Sequence, residues 1–446
     1  MSALDTTIVN VARHTIEQDF GATASSVSWV MSGYSIVYAA VLLTSGRLAD
    51  RYGRKRVYTT GLLVFIAASA ACGLAPTLGL LIACRVVQAV GGALLAPAAL
   101  ALVLPEFPME RKSMAIGVWT AIGSLGAALG PALGSLIISV ESWRWAFFIN
   151  LPIGLAAYIL GRRVLHESRD ANATGVPDIV SIVAGVGAVG LLALGISKGN
   201  EWGYLSSRGL LCFAIAAALL PVFIVRCRSA RLPVMDLSLL RNRYYAVANL
   251  AGLMFTVPFY GTVFANVSFL QQQWKYSVIQ AGLGTGPAPV LALLTSRVGG
   301  RWCDRFGQAR VSMLGGGLLA ATCLTFAVRM TENPSYLSTY LPYSLMAGVS
   351  FGLLLTSLQS GAVKYLPQDR LAMGSAFYNT LRQLGAALAI AITVAIVTRP
   401  GHAVLSSFRT AWTLFGLVAV GVGILMRFVY RAPAIERSVT ETAAIE

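Results

Sequence analysis

Long apolar stretches alternate with short polar turns from one end of this chain to the other. The pattern predicts helices over residues 1–16, 27–46, 57–75, 78–103, 114–139 and 146–165. Further helices are predicted over 178–197, 208–226, 244–269, 280–297, 311–329, 338–362, 373–398 and 408–430. Most of these runs hold about 18–25 residues, and a helix needs about 20 to cross a hydrocarbon layer of about 30 Å. The periodicity therefore predicts an all-α polytopic membrane protein with fourteen spans, the first of them short.

Composition agrees. Of 446 residues, 56% are hydrophobic and 12% charged, whereas a soluble domain carries about a quarter charged residues. The net charge of +16 raises the possibility of a nucleic-acid partner, but the placement of the charges argues against one. If the Arg-rich segment 47–56 faces the cytoplasm, alternate loops on that side hold about two thirds of the 34 Lys and Arg. That asymmetry predicts a multi-pass protein of the cell membrane with both termini cytoplasmic. Trp29, Trp143, Trp145, Trp202, Trp274 and Trp412 fall at the predicted outer ends of helices, as an aromatic belt would. The six cysteines lie in or beside apolar runs without metal-ligand spacing and read as small apolar residues, so no metal site is expected. No cleavable signal peptide is evident, and the first helix would serve for insertion.

The chain repeats itself. "GRLADRYGRKRV" at 46–57 returns as "GRWCDRFGQARV" at 300–311, and "ERKSM" at 110–114 is echoed by "DRLAM" at 369–373. The two Gly-Arg segments lie 254 residues apart, while six helices with loops need roughly 180. The excess fits two inserted helices. The expected organisation is a six-helix half at 1–165, an inserted pair with its linkers at 166–243, and a second six-helix half at 244–446. Repeated halves with a substrate site between them are a common transporter design.

Several separate segments together resemble the major facilitator superfamily, in its fourteen-helix drug:proton antiporter branch. The likeness covers essentially the whole chain. "GRLADRYGRKR" is similar to the family's motif between helices 2 and 3. Its Gly46 and Gly53 suit a tight turn, Asp50 can face a helix N-terminus, and Arg47, Arg51 and Arg54 can latch to carboxylates or helix C-termini. The resemblance implies a cytoplasmic gate here and at the repeated Gly300, Arg301, Asp304, Arg305 and Gly307; a plain topology anchor is the alternative. "RVVQAVGGALLAP" resembles the family's helix 4 motif, with Arg85 and Gln88 on one helical face. Ala89 departs from the usual glycine. "GAALGPALGS" resembles the antiporter motif of helix 5: Gly126, Gly130 and Gly134 make a smooth face for another helix, and Pro131 bends it. Ser135 stands in place of a more usual glycine. "WRWAFFINLPIG" at 143–154, with "LDTTIVNVA" at 4–12, looks like the branch signature, and its chemistry reads as structural.

Asp5 is the clear carboxylate at depth in a predicted core helix. Burial favours its neutral form and a nearby Arg85 its charged form, so the pair could exchange a proton near neutral pH. The family resemblance implies proton coupling for Asp5 and Arg85; a permanently locked ion pair is the alternative. Shifted by the repeat, Asp5 falls on Phe259 and Arg85 on Thr339, so the second half lacks both charges. The coupling ion would be the proton, with no further cofactor.

Candidate cavity residues are Asn10, Tyr34, Gln88, Trp119, Asn249, Phe259, Tyr260, Asn266, Tyr378, Asn379, Arg382 and Gln383, although helix packing is the competing reading for each aromatic. With no acid in helices 9–14 and a cation at Arg382, the expected cargo is a neutral, weakly acidic or amphiphilic small molecule, or a monocation, ahead of a dication. The resulting expectation is proton-driven export by alternating access, carried out by a monomer embedded in lipid. A proton:solute symporter and a non-transporting membrane sensor or scaffold are the rivals. No HExxH, nucleophile elbow or Walker loop supports an enzyme. Helix 1 also reads as shortened at its cytoplasmic end, by about ten residues compared with helix 9 and the usual span length.

Overall fold

The computed structural model describes residues 1–140, 142–169, 178–229, 235–397 and 403–430. Long helices dominate them: α1 (Ser2–Phe20), α2 (Ala24–Tyr52), α3 (Arg54–Gly73), α4 (Leu78–Val103), α5 (Lys112–Val140) and α6 (Trp145–Val164). Then follow α7 (Ile179–Trp202), α8 (Ser207–Ser229), α9 (Arg243–Gln272) and α10, in two pieces (Val278–Thr285 and Pro287–Phe306). The last are α11 (Gln308–Arg329), α12 (Leu341–Val363), α13 (Leu371–Val397) and α14 (Val404–Ile424). Eleven of the helical segments are long and apolar enough to span a membrane; α1, α5 and α10 complete the order that the sequence predicts. A helix satisfies its own backbone polar groups, which hydrocarbon would leave unpaired. Large apolar side chains such as Ile122, Leu160, Val183, Leu211, Leu294 and Leu417 are exposed, which suits a lipid environment.

Boundaries moved where the sequence was most charged. The Gly-Arg motif is not a loop: α2 continues through Arg51 to Tyr52, and only Gly53, at φ 102°, breaks the helix before α3. Gly307, at φ 84°, does the same between α10 and α11. A residue with a Cβ is strained in this region, so glycine permits an abrupt corner between two long helices. The predicted span 280–297 is divided because Pro287 lacks an N–H to continue the first piece, and a new helix starts with that proline in its first turn. The aromatic belt needs correction too. Trp143, Trp274 and Trp412 are buried, their indole N–H groups donating to Asp19, the Thr331 carbonyl and Asn266 respectively, while Trp145 is exposed.

The two halves repeat their packing. In the first, α1 rests on α5, α2 on α4, and α3 on both α4 and α6; in the second, α9 rests on α13, α10 on α12, and α11 on both α12 and α14. The halves meet along two seams, α2 against α13 and α5 against α10. The inserted α7 and α8 pack on each other, and α7 covers the α2–α13 seam. At one end of this pair Asp178 accepts hydrogen bonds from Arg226 and Ser181. Those donors hold its carboxyl well below the usual carboxylate range, so the latch stays charged through mild acid and opens only as the pH falls through that lowered value. At the other end Lys198 bonds Ser28 of α2 and Glu201, and lies over the Trp29 ring.

The seams close at the end that carries the Gly-Arg motifs, called the basic end below. Gly46 sits so near α13 that an added Cβ would lie 2.5 Å from the Ala372 carbonyl oxygen. Its repeat partner Gly300 would clash equally with the Ser113 carbonyl oxygen of α5. Beside each glycine, the aspartate of one half caps a helix start in the other. Asp50 accepts from the Met373 N–H at 3.1 Å, and Asp304 from the Ser113 and Met114 N–H groups at 3.2 and 2.9 Å. Carboxylates are favoured there because helix N-termini present unpaired donors and positive dipole ends. Met114 and Met373 close the two echoed segments, so the weak repeat and the strong one bind each other crosswise.

Gly46→Ala and Gly300→Ala should each force the seam apart, since overpacking a tight contact costs about 1–3 kcal/mol. Spin labels at the basic ends of α2 and α13, measured by double electron–electron resonance in nanodiscs, should gain a longer-distance component. An unchanged distribution would show that the glycines do not hold this end closed.

Candidate functional site

Asp5 lies inside the first half with no exposed surface. Its Oδ2 pairs with Arg85 Nη1 at 2.6 Å; its Oδ1 accepts from Gln88 Nε2 at 3.0 Å and Asn150 Nδ2 at 2.8 Å. Arg85 and Gln88 share a face of α4 by helical spacing, and Arg85 also donates to Gln88 Oε1 and the Val30 carbonyl. The Ser69 hydroxyl accepts from both amides and donates to the Phe147 carbonyl. The guanidinium carbon stands 4.1 Å from the centre of the Tyr34 ring. A buried ion pair offsets its desolvation only when its remaining donors and acceptors are also engaged, and this network does so except at Arg85 Nη2 and Asn150 Oδ1.

The glycine face of α5 seats the helix that carries this carboxylate. A Cβ at Gly130 would run into Thr7, and one at Gly134 would come 3.3 Å from the Ile8 Cα. Thr7 and Ile8 lie within one turn of Asp5, so the small residues of the antiporter-like motif fix the depth and rotation of Asp5. Gly126 is half-buried, and the side chain of Pro131 lies outside the described residues, as does that of Asn10.

In the Gly-Arg motifs the basic residues divide. Arg54 is buried and holds Asp50 through two bonds, at 3.1 and 2.9 Å, and also donates to the Ala101 and Gln368 carbonyls. Its repeat counterpart is Gln308, and the cation on Asp304 comes instead from Lys364 at 2.8 Å. Arg47 is half-buried. Arg51 stacks on Tyr52 and Arg305 on Phe306, and Arg301 and Arg305 are exposed, so the expectation of latching carboxylates holds for Arg54 alone among these arginines. Glu167, beyond α6, accepts from the Lys55 and Arg56 N–H groups at the start of α3, and Lys55 Nζ returns bonds to the Arg162 and Leu165 carbonyls that end α6.

The candidate cavity residues fall into distinct groups. Tyr34 and Gln88 belong to the Arg85 network rather than to an open wall, because a buried cation gathers rings and amide oxygens around it. Asn266 is corrected to a packing residue of the second half: its Oδ1 accepts from the Trp412 indole at 3.0 Å, among Phe269 and Phe408. Asn249 and Asn379 turn back on their own helices, donating to the Tyr245 and Ser375 carbonyls. Trp119 packs partly buried against a core cluster that draws on both halves, and Gln383 is half-buried. Arg382 faces Tyr260 and Tyr378 of its own half and Tyr38 of the other. Phe259 stands against Tyr260 and Phe351 at 4.8 Å each.

Sequence reasoning missed Asn150, Ser69, Glu167 and Lys364. Asn150 stood in a segment read as structural, and only the packing of α6 against α3 brings its amide to Asp5. The lone polar residues of otherwise apolar spans were the available signal.

The family model described as Major Facilitator Superfamily matches residues 1–253 and again 248–444. Over 401 residues the chain is 32% identical to the multidrug resistance protein B homolog of Mycobacterium tuberculosis strain H37Rv, covering 89% of this chain and 74% of that one. It is 29% identical over 422 residues to the tetracenomycin C resistance and export protein of Streptomyces glaucescens, covering 94% and 77%. The human organic anion transporter MFSD10 (TETRAN) shares the fold, with a TM-score of 0.65 at 16% identity over 95% of this chain and 96% of that one. The chain belongs to the Major Facilitator Superfamily, within the fourteen-helix branch whose motifs it carries.

Proposed function

We propose that this protein exports small amphiphilic compounds across the cell membrane by alternating access, driven by protons entering through Asp5. The observation that carries this reading is the Asp5 network: one carboxylate, fully buried and held by Arg85, Gln88 and Asn150, at a position where the repeat has the uncharged Phe259. A structural ion pair would be served as well by packed apolar groups, whereas proton coupling requires a carboxylate at depth. Relatives named for multidrug resistance and for tetracenomycin C resistance and export support the cargo class and the direction.

The chemistry follows from the hydrogen-bond inventory. An ionised Asp5 accepts from all three donors; a protonated one must itself donate, and it no longer offsets the charge of Arg85. Proton binding therefore favours withdrawal of Arg85, leaving it to Gln88, the Val30 carbonyl and the Tyr34 ring. That shift moves α4 relative to α1. Both the α2–α13 seam and the α4–α13 contact feel it, because α2 and α4 pack together. With the basic end facing the cytoplasm, the present arrangement is shut on that side. Closure there is compatible with a charged Asp5, and reopening with a protonated one.

Asp5→Asn should reduce proton-driven efflux from proteoliposomes to background. Losing one partner of a buried pair costs about 3–5 kcal/mol, so the single variant is compared with Asp5→Asn/Arg85→Gln. The double variant should fold like the wild type and remain uncoupled; coupled efflux by either would sink the assignment.

Asn150→Leu removes one donor to the carboxylate, worth about 1.5–3 kcal/mol for a charged acceptor. Proton-driven efflux at unchanged expression should fall by about tenfold or more. Undiminished efflux would make Asn150 a packing residue only.

A further inference from the structure

Arg382 stands apart from the other arginines held at depth. Arg85 has Asp5 and Arg54 has Asp50, but no carboxylate pairs with Arg382 among the described residues. It lies eleven residues into α13, about 16 Å along the helix from the basic end, near mid-membrane. Arg382 is half-buried, with Tyr260 hydrogen-bonded to it and Tyr378 and, from the first half, Tyr38 nearby. The Tyr378 hydroxyl is buried and has no hydrogen-bond partner. Phe259, Phe255 and Phe351 continue from Tyr260 as an aromatic surface.

An uncompensated cation inside a bilayer is costly, and an unsatisfied hydroxyl beside it adds to that cost. Both would be satisfied at once by an incoming anion. We propose that Arg382 and Tyr378 form the anion-recognising end of the cargo site, and that the preferred cargo is an aromatic amphiphile with one acidic group, such as a carboxylate, sulfonate or enolate. The guanidinium fork would take two acceptor oxygens, the Tyr378 hydroxyl would donate a further bond, and the rings would lie against the Phe259–Tyr260 surface. This inference rests on the transport reading above and names the cargo chemistry for it. Because Tyr38 belongs to the first half, a ligand on Arg382 would touch both halves. Tyr38 in turn stacks on Tyr34, with centroids 5.8 Å apart, and Tyr34 lies under Arg85. The cargo end and the Asp5 network are thus linked through two tyrosines.

The test uses two probes of one skeleton, 8-anilino-1-naphthalenesulfonate and its uncharged parent N-phenyl-1-naphthylamine. Binding to the full chain in nanodiscs is read by tryptophan quenching, with protein-free nanodiscs subtracted. The wild type should bind the sulfonate at least tenfold more tightly than the parent. Arg382→Gln should remove that preference while changing the Kd of the parent by less than twofold, and Arg382→Lys should keep part of it. Tyr378→Phe should weaken the sulfonate alone. Equal loss for both probes in Arg382→Gln would make the arginine structural. No preference in the wild type, or an undiminished one in Arg382→Gln, would also overturn the proposal. The assay applies no proton gradient, so failure of coupling at Asp5 would leave these outcomes readable.

Discussion

A charge below the membrane surface has no water to turn to, and its solvation must be built from the protein itself. That constraint organises this molecule more than any apolar contact does. Asp5 is solvated by an arginine and two amides, and Arg85 by a carboxylate, an amide oxygen, a carbonyl and a ring. The helices bearing those groups, α1, α2, α3, α4 and α6, are thereby fixed to one another. The glycine face of α5 then holds α1 at the depth the network needs.

The same constraint closes the basic end. Asp50 and Asp304 cannot be solvated within their own halves alone, so each takes backbone N–H groups from a helix of the other. The interactions are symmetric in geometry and asymmetric in chemistry: Arg54 neutralises Asp50, whereas Lys364 neutralises Asp304. Close contact at Gly46 and Gly300 makes both caps possible, and the same contact is lost when the halves part. A charge that loses its cap on opening is a natural element of a two-state gate, since its solvation differs between the states. The inserted pair adds a second asymmetry, because α7 covers the α2–α13 seam and is bound to α2 by Lys198.

Arg382 differs from Arg54 and Arg85 in having no acid beside it among the described residues. In a scaffold that pairs its other deep arginines with acids, a cation left among tyrosines at the junction of the halves marks where solvation arrives from outside the chain.

Much of this could be read before any coordinates. Helix number and order, the repeat and the inserted pair follow from hydropathy and from recurring residues, because the bilayer imposes a length and a polarity on every span. Asp5 and Arg85 stood out for the same reason: charges in apolar runs are rare. What the sequence could not supply was partnership. Asn150, Ser69 and Lys364 carry no local sign of whom they meet, since each bonds a group on a helix distant in the chain. Asn266 and Gln88 looked alike as polar residues in spans, yet one binds a core tryptophan and the other the buried carboxylate. The Gly-Arg segments read as loops because charge usually marks loops, while tertiary contact with the opposite half keeps them helical up to Gly53 and Gly307. Local chemistry decided which residues needed partners, and only the packing of the helices decided which partners they found.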